Sequence, residues 1–228
     1  MKIEIQNRPA YAIADVHLEL GESVISEGGA MVSMTTDITV TTSTMSTGGG
    51  AGGLLKGLKR MLTGESFFLN KFTSSTGGHV SFAPTLIGDV EHITLDGTTN
   101  LVVQSSSFMA CSEGLSMDTQ FGGMKSLFAG ESLFWIQFSG SGELLLNSFG
   151  GIFCKEIDGS FIVDTGHIVA FEDTLEYKIK KVGGLKATLL SGEGLVTEFY
   201  GKGRLFMQTH NASAFGGLLG PKLPPRQR

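Results

Sequence analysis

The chain has 228 residues, 41% apolar and only 17% charged, with a formal net charge of -5 from 17 basic and 22 acidic side chains. That balance excludes an intrinsically disordered chain, which needs low hydrophobicity and high charge, and the 33 glycines follow no three-residue period, which excludes collagen. An acidic total argues against a nucleic-acid footprint, which shows a basic face, and no apolar run approaches the ~20 residues that cross a bilayer.

The first twenty residues, MKIEIQNRPAYAIADVHLEL, carry charges every few positions and no apolar stretch, so they read as mature protein and not as a signal peptide. Two cysteines, Cys111 and Cys154, fit a reducing compartment and read as small buried hydrophobes. The expected location is therefore cytoplasmic. Further along, short runs rich in β-branched and aromatic residues predict strands: ITVTTST (38–44), GHVSFAP (78–84), NLVVQSS (100–106), SLFWIQF (132–138), ELLLNSF (143–149), FIVDTGH (161–167), HIVAFE (167–172), LVTEFY (195–200) and RLFMQT (204–209). Their close spacing predicts an all-β fold. Asp96-Gly97 and Asp158-Gly159 predict tight turns. FSGSGEL from Phe138 and FYGKGRL from Phe199 predict hairpins reversing at Gly-x-Gly.

One segment breaks the pattern. After the glycine linker at 46–53, LLKGLKRML (54–62) sets Leu54, Leu55, Leu58, Met61 and Leu62 at helical spacing, with Lys56, Lys59 and Arg60 opposite. A short helix is expected near 54–62. Leu54, Leu55, Lys56, Lys59 and Arg60 are the candidate contact residues, for a partner protein or an anionic membrane surface, the alternative being that the leucines cap a sandwich end or pack between subunits.

Three segments align. They start at Gly57, Gly123 and Gly184, and each opens with Gly-apolar-Lys, reaches a Gly-Glu pair, and continues as a strand ending in Phe72, Phe138 or Phe199. Upstream, ESVISEGGAMVSM from Glu22 parallels NLVVQSSSFMACS from Asn100 and SFIVDTGHIVAFE from Ser160. Internal repetition of this kind points to tandem units that stack to bury their cores. The expected organisation is repeat 1 over 1–97 with its glycine-rich insertion at 46–53, repeat 2 over 98–158, repeat 3 over 159–211, and a flexible basic tail over 212–228.

Catalytic signatures are weak. The run from Gly48 to Gly53 matches G-x-G-x-x-G only through low complexity and lacks a βαβ setting. His17, His79, His92, His167 and His210 lie far apart and form no His-x-His pair, so no metal site is assigned. Glu65, Glu131 and Glu193 recur in all three repeats, where pseudo-symmetry spreads them apart and argues for a structural role. Ser66 and Ser132 sit in no G-x-S-x-G elbow. No catalytic residue, metal or cofactor is expected.

GESFFLNKFTSSTGGHVSFAPTLIGDVEHITLDG from Gly64 and GEGLVTEFYGKGRLFMQTHNASAF from Gly192, with EGGAMVSM from Glu27 and the stretch at 166–171, resemble a bacterial family of uncharacterised proteins. That family shares a domain with the fungal altered-inheritance-of-mitochondria, or mitochondrial biogenesis-like, protein. The resemblance covers roughly residues 1–215 and implies three tandem β-sandwich units, a short double-stranded β-helix similar to the tryptophan RNA-binding attenuation protein. It also implies a homotrimer, and it supplies no catalytic residues. The expected function is a non-enzymatic oligomeric ring scaffold or interaction protein, with a peripheral role at the inner membrane surface as an extension. The alternatives are a small-ligand module with sites between adjacent repeats, and a cupin-like enzyme.

Overall fold

The computed structural model describes residues 1–44, 68–118, 135–181 and 195–224. In chain order the strands are β1 (Lys2–Gln6), β2 (Ile13–Leu18), β3 (Ser23–Glu27), β4 (Met31–Met34), β5 (Ile38–Thr44), β6 (Phe68–Ser74), β7 (Gly78–Phe82), β8 (Val90–Asp96), β9 (Leu101–Gln104), β10 (Phe108–Ser112), β11 (Leu115–Asp118), β12 (Trp135–Asn147), β13 (Ile152–Asp164), β14 (Ile168–Glu172), β15 (Leu175–Lys181) and β16 (Leu195–Gln208). A helix, α1 (Ala212–Leu219), follows. The expectation of an all-β protein holds. The expected helix at 54–62 and the glycine linker before it lie outside the described residues.

Four strands form one sheet in the order β1-β2-β7-β4, and a twelve-stranded sheet contains the rest. The named strand pairings are antiparallel. Apolar side chains gather in three cores, each holding a close phenylalanine pair: Phe72 with Phe82, Phe108 with Phe138, and Phe171 with Phe199, at ring-centroid separations of 5.5, 5.1 and 5.0 Å. All six rings are buried. Removing one such side chain from water contributes about 1.5–3 kcal/mol, and a favourable ring pair adds about 0.5–1.5 kcal/mol.

Neither predicted Gly-x-Gly hairpin forms. β12 and β16 run unbroken through these sites. Gly140 and Gly201 take φ of +96° and +106°, so each strand bends where a side chain would be strained. Before Gly140, β12 pairs with β9 and β11; after it, β12 pairs with β8 and β10. The bend therefore carries one strand from one partner set to another, which is how a strand turns a sandwich corner. Asp158-Gly159 corrects the same way. It lies inside β13, with Gly159 facing Gly201 at φ +114°, and both strands bend together. The Asp96-Gly97 turn does form: Gly97 has φ +86° and Thr98 donates its N–H to Asp96.

Two further differences concern composition-based readings. Cys111 is buried as expected, whereas Cys154 is exposed, because it sits on an outward-facing stretch of β13. The segment from 212, read as a flexible tail, opens with α1, whose first turn is capped by the Asn211 side chain accepting from Ala214 N–H.

Candidate functional site

Three strands share one irregular pairing. β4 on β7, β10 on β12 and β14 on β16 each slip register by one residue, between Met31 and Ser33, Phe108 and Ala110, and Ile168 and Ala170. The extra residues at these bulges are Val32, Met109 and Val169. The sequence alignment set Met31, not Val32, against Met109 and Val169; the pairing shifts it by one. Met109 and Val169 are fully buried. Met109 packs in the core around Phe72 and Phe82, and Val169 in the core around Phe108 and Phe138. Each thus reaches into the core that precedes its own strand.

These insertions coincide with two sheet joints. β10 pairs on its second edge with β3, Ala110 facing Ser26 and Cys111 facing Ile25. β14 pairs likewise with β9, Ala170 facing Val103 and Phe171 facing Val102. Polar clamps flank both joints. Lys71 Nζ meets Glu113 Oε1 at 2.5 Å, and Asp173 Oδ2 accepts from Asn100 Nδ2 at 2.7 Å and Gln137 Nε2 at 3.2 Å.

β4 has no such second partner among the described residues, since it ends the four-stranded sheet. Its bulge residue Val32 is 56% exposed, and Met31, Ser33 and Met34 are exposed too. β13 ends the other sheet and, among the described residues, pairs only with β16. Its outer half carries Ile162, 55% exposed. The candidate site is this pair of apolar, unpaired edges. Among the described residues β1, β5, β8, β11 and β15 also have a single partner each, and β5, β11 and β15 flank β6, β12 and β16 in the same way.

The residues singled out from sequence for contact, Leu54, Leu55, Lys56, Lys59 and Arg60, lie outside the described residues, as do Glu65, Glu131, Glu193, Ser66 and Ser132. The histidines do not converge. His17 faces His79 across β2 and β7, with ring centroids 5.7 Å apart. His92 Nε2 meets Glu143 Oε2 at 2.5 Å, and His167 Nδ1 meets Gln208 O at 2.8 Å. His210 packs beside Phe149. Among the described residues no group of three His, Cys, Asp or Glu could hold a metal ion, and no helix is long and apolar enough to cross a membrane.

Two titratable groups stand out. Burial pushes the Cys111 thiol up to about 12, which makes it inert. Burial also pushes the Glu27 carboxyl up to about 8; among the described residues its side-chain partner is Asn147 Nδ2, donating to Oε1 at a long 3.4 Å. Sequence reasoning missed Glu27, because a glutamate closing an alternating strand reads as solvated.

Comparison with known proteins places the architecture. An uncharacterised protein of Streptococcus pyogenes serotype M6 is 32% identical over 229 aligned positions, covering 98% of this chain and 92% of that protein. The X-ray crystal structure of a Streptococcus pyogenes protein superposes with a TM-score of 0.78 at 28% identity, covering 97% of this chain and 99% of that one. The family model described as mitochondrial biogenesis AIM24 matches residues 3–210. With that match over nearly its whole length, the chain belongs to the mitochondrial biogenesis AIM24 family.

Proposed function

We propose that this protein is a non-enzymatic ring scaffold: three successive copies of one bulged β unit per chain, closed head to tail by further copies into a homotrimer. One observation carries the reading. The bulge residues Met109 and Val169 are buried in the preceding core, while their counterpart Val32 is exposed, and among the described residues the outer half of β13 is left without the partner that β3 and β9 each have. Carrying the inner register outward sets Ser33 of one copy opposite Val163 of the next, and Met34 opposite Ile162. Val32 then enters the core around Phe171 and Phe199, against which Phe161 and Val163 already pack. A contact of this kind joins two different patches, so it must close into a ring or grow into a filament. Closure removes two apolar edges that otherwise invite aggregation. The basic amphipathic stretch at 54–62 is the ring's proposed contact for a partner protein or an anionic membrane surface, with avidity from several copies.

Native mass spectrometry tests this directly. The expected species is three chains of 24.2 kDa each. Val32→Asp and Ile162→Asp place a charge on an edge that must be desolvated, and each is expected to give single chains with unchanged far-ultraviolet circular dichroism. A wild-type protein that stays a single chain, or charged-edge variants that still assemble, would overturn the proposal.

A further inference from the structure

At one end of the molecule four chain segments lie side by side: Asn7–Ala12 leading into β2, Ala83–Asp89 leading into β8, Ser148–Gly151 leading into β13, and Thr209–Asn211 leaving β16. Each is hydrogen-bonded to the next. Ala12 N–H donates to Gly88 O at 3.1 Å. Asp89 and Gly150 exchange bonds with the facing segments, Asp89 N–H to Gly150 O at 3.0 Å and Gly150 N–H to Ile87 O at 2.9 Å. Thr209 N–H donates to Gly151 O at 3.0 Å, and His210 N–H to Phe149 O at 3.2 Å.

The two inner segments are complete connections, each the exit of one strand and the entry of another. The two outer ones are the ends of the row, each with a neighbouring segment on one side only among the described residues: Thr209–Asn211, the exit of β16, lies beside Ser148–Gly151, and Asn7–Ala12, which joins β1 to β2, lies beside Ala83–Asp89. In a closed ring the exit of one copy must meet the entry of the next. Helix α1 begins at Ala212, so it starts where the next copy's Asn7–Ala12 segment has to lie.

Both ends of the row present exposed apolar surface. α1 buries none of its residues; Phe215 and Leu219 are exposed and Leu218 is 63% exposed. Phe215 is steadied from within by Phe149, with ring centroids 5.3 Å apart. On the Asn7–Ala12 end, Tyr11 is 73% exposed. We propose that α1 is an intersubunit clasp that closes over the Asn7–Ala12 segment of the neighbouring copy, with that copy's Tyr11 seated against Phe215, Leu218 and Leu219. The proposal rests on the ring reading above and assigns α1 a partner within it. Buried aromatic anchors of this type dominate interface energetics. The other occupant that α1 suits is an anionic bilayer, since residues 209–228 contain Lys222, Arg226 and Arg228 and no acidic residue.

The test uses the full chain with Cys154→Ser, so that the exposed native thiol takes no part. Tyr11→Cys combined with Leu218→Cys is expected to give, on mild oxidation, disulfide-linked species of two and three chains. Each single-cysteine control should give none. Truncation after Asn211 is expected to leave the assembly intact by native mass spectrometry but to raise the protein concentration at which it dissociates by about tenfold or more. An assembly that persists without cross-linking, and without that shift, overturns the clasp and leaves the ring standing. A wild-type single chain overturns both. Wild-type protein that sediments with phosphatidylglycerol vesicles, and loses this with Leu218→Asp, gives α1 to the membrane and overturns the clasp.

Discussion

Glu27 offers a sharp test of how burial governs this fold. Its carboxyl belongs to the last residue of β3, is raised from 4.5 to about 8 by desolvation, and has no cation beside it among the described residues. The unfolded chain releases this proton near 4.5, whereas the folded chain holds it to about 8. Between those values the native state binds more protons, so stability falls as pH rises through the window and levels off above it. Each pKa unit corresponds to about 1.4 kcal/mol. The full shift would therefore cost up to about 5 kcal/mol once Glu27 is ionised, and relaxation with water entry reduces this to about 2–3 kcal/mol. Glu27→Gln keeps the acceptor for Asn147 and cannot ionise. Urea unfolding at one fixed protein concentration, since any self-association would shift apparent stability, should show variant and parent equal near pH ~4.5. The variant should then be more stable by about 2–3 kcal/mol at pH ~9. A stability difference that stays constant across that range would refute the reasoning.

Three further perturbations follow from geometry. A methyl group at Gly88 would lie 1.6 Å from Ser148 O, where Gly88 bridges to Gly150, so Gly88→Ala must displace backbone and should cost about 2–4 kcal/mol in chemical denaturation. Gly159→Ala meets nothing within 4 Å and should cost only the ~1–2 kcal/mol of its positive φ. Arg8 clamps buried Asp89 at 2.8 and 3.1 Å and reaches Glu91 at 2.6 Å. Arg8→Ala leaves the Asp89 charge without its cation and should destabilise by about 2 kcal/mol, whereas adding Asp89→Asn should restore part of that loss.

Much of this protein is legible from its own chain, because the relevant physics is local. Runs such as NLVVQSS and LVTEFY give strands because β-branched and aromatic residues suit a pleated, half-buried surface. Phe72, Phe138 and Phe199, matched by sequence alignment, fall one into each of three cores. The Asp96-Gly97 turn forms because its residues satisfy one another within two positions. Other features depend on partners far along the chain. Gly-Ser-Gly in β12 has the composition of a hairpin, yet β8, β10, β9 and β11 hold its two halves as one bent strand. A one-residue slip flips a strand's faces, and alignment placed Met31 where the bulge places Val32. Burial of Glu27 and exposure of Cys154 likewise follow from which neighbours the sheets supply. The candidate edges β4 and β13 were not visible in the sequence at all: an edge is defined by the absence of a pairing partner, and pairing is a property of the assembled sheet, not of the strand.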